Sequence, residues 1–138
     1  EPQSLGKKHF PVRQQTSHPY PEHLMWLQGS TLFISLNVPG SNNDLYNPAS
    51  RKTSDREAMQ RLRERETAIG DWLAQAAQLF QSNKLTLTET VVTIQGNPID
   101  GSGGASTDDR RNGYVGFMKH LVSYINNTNR PRLYNPSH

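Results

Sequence analysis

Two short β-branched runs separated by one long amphipathic stripe constrain this chain more than any other feature. Thr31-Leu32-Phe33-Ile34-Ser35-Leu36 and Thr90-Val91-Val92-Thr93-Ile94 are nearly uncharged and read as buried strands. Between them Met59, Leu62, Ile69, Trp72, Leu73, Ala76, Leu79 and Phe80 recur at three- and four-residue spacing. That spacing lays one apolar face along a helix of about seven turns. Ser54-Asp55-Arg56-Glu57 matches a capping box, with Ser54 meeting an orphan helix N–H and Glu57 reaching back to the cap, and Ser82-Asn83 closes the helix. Strands joined through a helix lie parallel, in a right-handed crossover. A second amphipathic helix is predicted from Gly113 to Asn126, with Tyr114, Phe117, Met118, Leu121 and Ile125 on one side. Arg130-Pro131-Arg132-Leu133-Tyr134 is predicted to begin a third strand. The expected class is therefore α/β, in the order strand-helix-strand-helix-strand.

Composition sets the scale of what surrounds this unit. The chain has 138 residues, of which 33% are hydrophobic, with nine Pro, ten Gly and a mean hydropathy of -0.79. One domain of low apolar content results, its core concentrated in a few segments. Residues 1–30, with Pro2, Pro11, Pro19 and Pro21, are expected to form an extended segment packing on a neighbouring surface through Leu24, Met25, Trp26 and Leu27. Residues 31–138 form the domain, with a flexible loop at 100–112. The glycines of that loop, Gly101, Gly103 and Gly104, are followed by no lysine at phosphate-loop spacing.

The chain contains no Cys, so disulfides and thiolate metal sites are excluded and the redox compartment stays open. Its net charge is +3, and the densest basic run, Arg61-Leu62-Arg63-Glu64-Arg65-Glu66, is neutralised internally and reads as a solvated helix face. A nucleic-acid partner is not expected, nor is a membrane, because no apolar run approaches ~20 residues and no signal peptide opens the chain. The chain begins with Glu1 rather than Met, which points to an upstream segment removed or left out. Among compartments, an extracellular or periplasmic location is favoured over a cytoplasmic one.

Polar groups gather where the strands end. The first strand runs into Asn37-Val38-Pro39-Gly40-Ser41-Asn42-Asn43-Asp44 and the second into Gln95-Gly96-Asn97-Pro98, so one sheet edge collects side-chain amides where α/β proteins place ligand sites. Ser41, Asn42, Asn43 and Asn97 are phosphate-binding candidates, although Ser and Asn also hydrogen-bond their own loops. His9, His18 and His23 lie in the Pro-rich segment without metal-ligand spacing, and His120 falls beside the stripe of the second helix, so all are read as ordinary histidines. Trp26 and Trp72 read as core or interface anchors. Asp100, Asp108 and Asp109 match no calcium loop. Asn126-Asn127-Thr128 is a glycosylation sequon, making Asn126 the candidate acceptor in a secretory route.

Val38-Pro39-Gly40-Ser41-Asn42-Asn43 resembles a branch of the calcineurin-like metallophosphoesterases in which a strand ends in a His-Val-Val-Gly-Ser-Asn-Asn-like motif. Ser4-Leu5-Gly6, Arg13-Gln14, Tyr20-Pro21-Glu22 and Trp26 look like the segment before that strand, and Trp72-Leu73 with Phe80 looks like its helix. Gln95-Gly96-Asn97-Pro98 is similar to the following turn, and Ser137-His138 to the end of a closing Gly-Asp-Ser-His-like motif. The resemblance implies the C-terminal half of an α/β sandwich in which Asp, His and Asn side chains hold two metal ions. Asn37 stands where the family carries a ligand His, and Tyr134-Asn135-Pro136 where it carries His-Gly-Asp. Only Asn37 and His138 remain as degenerate metal ligands, and the Asp-x-His, Gly-Asp and Gly-Asn blocks have no counterpart in these residues.

Two-metal phosphoester chemistry needs most of its ligand shell. The expected function is thus binding or assembly by a non-catalytic or incomplete phosphoesterase-derived chain, including self-assembly into a filament. The alternative is the C-terminal half of an active metal-dependent phosphoesterase. No cofactor is expected for this chain alone, with divalent metal ions entering only if the family site is reconstituted. The expected partner is protein, either identical copies or a chain supplying further strands.

Overall fold

The computed structural model describes residues 11–44, 53–96, 98 and 113–129. Within them lie β1 (Val12–Gln14), β2 (Leu24–Gln28), β3 (Thr31–Ser35), a short α1 (Gly40–Asp44), α2 (Thr53–Ser82), β4 (Glu89–Thr93) and α3 (Val115–Thr128). The sheet has the order β1-β2-β3-β4. β3 and β4 pair in parallel from Thr31↔Glu89 to Ser35↔Thr93, which is the crossover through α2 that the sequence predicts.

The N-terminal stretch departs from expectation. Residues 12–14 and 24–28 are not an arm laid on a neighbour: β1 pairs antiparallel with β2, and β2 antiparallel with β3. The sheet is therefore mixed. The reason lies in Gln28-Gly29-Ser30-Thr31, where Gln28 faces Thr31 and only two residues make the turn. Gly29 has a φ of 60°, the left-handed conformation that tight hairpins need and glycine supplies. The prolines of this region, Pro11, Pro19 and Pro21, all fall outside the strands.

Register sorts the sheet into two faces. Met25, Ile34 and Val92 align on one, beside Leu27, Leu32 and Thr90, and this face carries the core: Met25 is 1% exposed, and Leu32 and Ile34 are fully buried. α2 covers it with Ile69, Trp72, Leu73, Ala76 and Ala77, and Trp72 Nε1 donates to Leu24 O at 3.2 Å. α3 lies over β4, its Tyr124 hydroxyl 2.7 Å from Thr90 Oγ1 and its Phe117 buried. On the opposite face Val12, Trp26, Phe33 and Val91 form a row, with the Trp26 and Phe33 rings stacked at 5.2 Å.

At ~1.5 Å per residue the 30 residues of α2 reach about 45 Å, well beyond a five-residue strand. α2 runs back from the C-terminal ends of the parallel strands, so its first half overhangs that end of the sheet. It is nonetheless packed: Ala58, Leu62 and Arg65 are each about 95% buried. The reading of residues 61–66 as a wholly solvated face is corrected at Arg65, which at 6% exposure fills the gap in the stripe between Leu62 and Ile69. α2 begins at Thr53, one residue before Ser54, within the usual latitude of helix ends. The loop at 100–112 and the third strand expected at 130–134 lie outside the described residues.

Candidate functional site

Past the end of β3 the chain turns sharply under α2. Val38 N is held by Leu36 O and by the Gln95 side-chain carbonyl, both at 3.1 Å, while Gly96 N donates to Val38 O at 2.6 Å. The two parallel strands are thus cross-tied just beyond their ends. A Cβ on Gly96 would come within 2.6 Å of Pro39 O, so the turn read from Gln95-Gly96 requires its glycine for close backbone approach. Asn43 and Asp44 follow with φ of 59° and 61°, a left-handed pair that ends α1.

Among the described residues, the polar side chains delivered to this mouth are turned onto the protein itself. Asn43 is completely buried and its amide donates to Gly113 O at 2.8 Å, tying the start of α3 to the β3 turn. Arg65 reaches the same residue, donating to Asn43 O, and lies 4.0 Å from Asp44, which Arg61 approaches at 3.5 Å. Tyr114 closes the group by donating to Pro39 O at 3.2 Å. Asn37, the metal-ligand candidate, donates its amide N–H to the Glu22 carboxylate, and Ser35 donates to Glu22 O. One carboxylate and one amide therefore meet at the mouth of a parallel strand.

Behind this pair sits a residue that the sequence reading undervalued. His23 is fully buried, with its ring stacked on Tyr20 at 5.1 Å. Gln15 Nε2 donates to Ala68 O at 2.9 Å, which aims Gln15 Oε1 at His23 Nδ1 at 2.7 Å. Nδ1 therefore carries the proton, and Nε2 is a bare nitrogen with no hydrogen-bond partner among the described residues. Burial pushes the imidazole down to about 4, against a weaker opposing pull from Glu22.

The other histidines diverge. His18 Nε2 contacts Asp71 Oδ2 at 2.7 Å and tethers the β1–β2 connection to α2, whereas His120 seats against Gly70. Among the described residues no group of three His, Asp or Glu side chains converges as a metal centre would need. Ser41 and Asn42 lie in α1, but their side chains are not among those described; Asn97 and His138 lie outside the described residues. Asn126 is exposed on α3, with Thr128 Oγ1 donating to Tyr124 O at 2.8 Å.

Sequence reasoning missed Gln15, Glu22, His23 and Arg65. For Arg65 a signal was present, since Leu62, Arg65, Ile69 and Trp72 follow at intervals of three and four. For Gln15 and His23 there was none, because their pairing depends on the β1–β2 hairpin.

The fold and site together define a small α/β domain with a mixed four-stranded sheet and two principal helices. Compared with protein-family models, with curated proteins and with solved structures, the chain matches none of them. No helix among the described residues is long and apolar enough to cross a membrane.

Proposed function

We propose that this chain is a binding and assembly unit of phosphoesterase-like design, non-catalytic by itself, whose partner is protein. The observation that carries this is an apolar stripe on the outer side of α3: Met118, Val122 and Ile125 are 37%, 50% and 44% exposed at successive intervals of four and three. Such spacing on a helix is a seam for another apolar surface.

The two outer strands support the same reading. β1 is three residues long, follows Pro11 and carries Arg13, features that discourage further pairing. β4 is five residues of Glu-Thr-Val-Val-Thr with neither Lys nor Pro, and among the described residues it has a neighbour on one side only. A chain that adds strands at β4 and covers the α3 stripe extends both layers at once. Identical copies meeting head to tail would continue as a filament.

The test pairs sedimentation velocity across micromolar concentrations with hydrolysis of a generic phosphate monoester, with Mn²⁺ and with EDTA. Association without chelator-sensitive turnover is expected. Robust EDTA-sensitive hydrolysis by this polypeptide alone overturns the proposal.

The meeting of Glu22 and Asn37 favours a second reading, the C-terminal half of a metal-dependent phosphoesterase. There Asn37 and His138 would join divalent ions held mainly by residues of the other half. Restoration of metal-dependent hydrolysis on adding a chain with the family's Asp-x-His and Gly-Asp blocks distinguishes it.

A further inference from the structure

α3 is seated on α2 by a reciprocal exchange of side chains. Glu66 of α2 lies against Gly116 of α3, and His120 of α3 lies against Gly70 of α2, its Cε1 2.5 Å from where a Cβ would stand. Each helix supplies a titratable knob and, four residues away, a glycine seat. With alanine at either seat a knob would have to move.

We infer that this exchange is a proton-operated clasp: the Glu66 carboxyl, seated on Gly116, holds α3 down on α2 in acid and releases it as the solution turns alkaline. Burial and access support it, with burial outweighing the cations around the carboxyl. Glu66 faces His120 and Lys119 from α3, and Arg63 and Arg65 from its own helix. Gly116 is the second residue of α3, whose first turn carries no acidic residue and whose N-cap makes no side-chain hydrogen bond, so the Glu66 carboxyl lies beside that positive end, which favours its charged form. Yet Glu66 makes no hydrogen bond or ion pair among the described residues, and burial is the largest influence on it, raising its pKa above 4.5. A carboxyl raised on folding contributes stability that is complete below its unfolded value and is lost as pH climbs through its folded value. His120 is the second knob of the same seam, seated on Gly70. Both groups line a cleft of about 530 Å³ with Arg63, Thr67, Gly70 and Asp71, through which water reaches them.

Amide exchange followed by NMR from pH 4 to pH 8 tests the clasp, each rate divided by its intrinsic rate and the β3 amides of Leu32 and Ile34 serving as internal reference. Protection of α3 is expected to fall several-fold relative to β3 as pH rises. Glu66→Gln, which keeps the shape of the neutral carboxyl, should hold α3 at its acidic level throughout. A constant α3-to-β3 ratio in the native chain, or the same fall in Glu66→Gln, overturns the inference. Should that variant fail to fold, the carboxyl ¹³C titration of Glu66 in the native chain decides: a midpoint above 4.5 supports the clasp and one at or below it refutes it.

Discussion

The mouth of β3 and the outer face of α3 spend their side chains in opposite ways. At the mouth, the described residues whose chemistry suggests ligand binding are committed inward: Asn43 to Gly113, Arg65 to Asn43, Asn37 to Glu22, Gln15 to His23. On α3, residues that look like core point outward, with Val122 half exposed. A polar turn is weak evidence for a ligand when an overhanging helix needs the same groups to satisfy its buried backbone and charge. Apolar residues left outside after both sheet and helix are packed are stronger evidence for a partner.

The largest expected effect separates the two regions by stability. Asn43→Ala removes the donor to Gly113 O and places a Cβ-bearing residue without a side-chain amide at a φ of 59°. Urea unfolding should show a loss of about 3 kcal/mol, with Asn43→Gly less affected because glycine tolerates that φ. Equal losses in the two variants would remove the backbone component of this account.

Acid probes the mouth next. The His23 imidazole falls from 6.5 to about 4 on folding, so its contribution is complete above 6.5 and is lost as pH drops toward 4. Between pH 7 and pH 4.5 the native chain should lose about 2 kcal/mol that a His23→Gln variant does not lose. Parallel pH profiles for the two would show that His23 is not the group responsible.

Gly96→Ala, whose Cβ meets the Pro39 carbonyl, should cost about 1 kcal/mol by forcing the cross-tied turns apart. A neutral result would mean that this close approach relaxes freely. The smallest effect on folding belongs to α3: Val122→Lys should stay within about 0.5 kcal/mol of the native stability while weakening association. A large loss of stability there would show that the stripe is packed within the molecule.

Much of the architecture was legible in residues 31–94, because β-branched runs and a 3.6-residue stripe are local signals and the crossover follows from them. The β1–β2 hairpin was not. Its strands are short and sit among prolines, and what secures them is pairing across hairpins, Met25 with Ile34 and Gln15 with His23, that no hydrophobic periodicity marks. The mouth was legible as a place but not in its chemistry: Asn37 and Asn43 stand in the turn and short helix just past β3, whereas their partners Glu22 and Arg65 lie 15 and 22 positions away. Arg65 shows how charge misleads, since a guanidinium in an Arg/Glu run reads as solvated until a helix overhang requires it inside.

Multi-angle light scattering of the native chain and of Val122→Lys at the same micromolar concentrations tests the central claim most directly. Assembly through the α3 stripe predicts a mass above 15.6 kDa for the native chain, rising with concentration, and a smaller mass for the variant. A monodisperse 15.6 kDa species for both would contradict it.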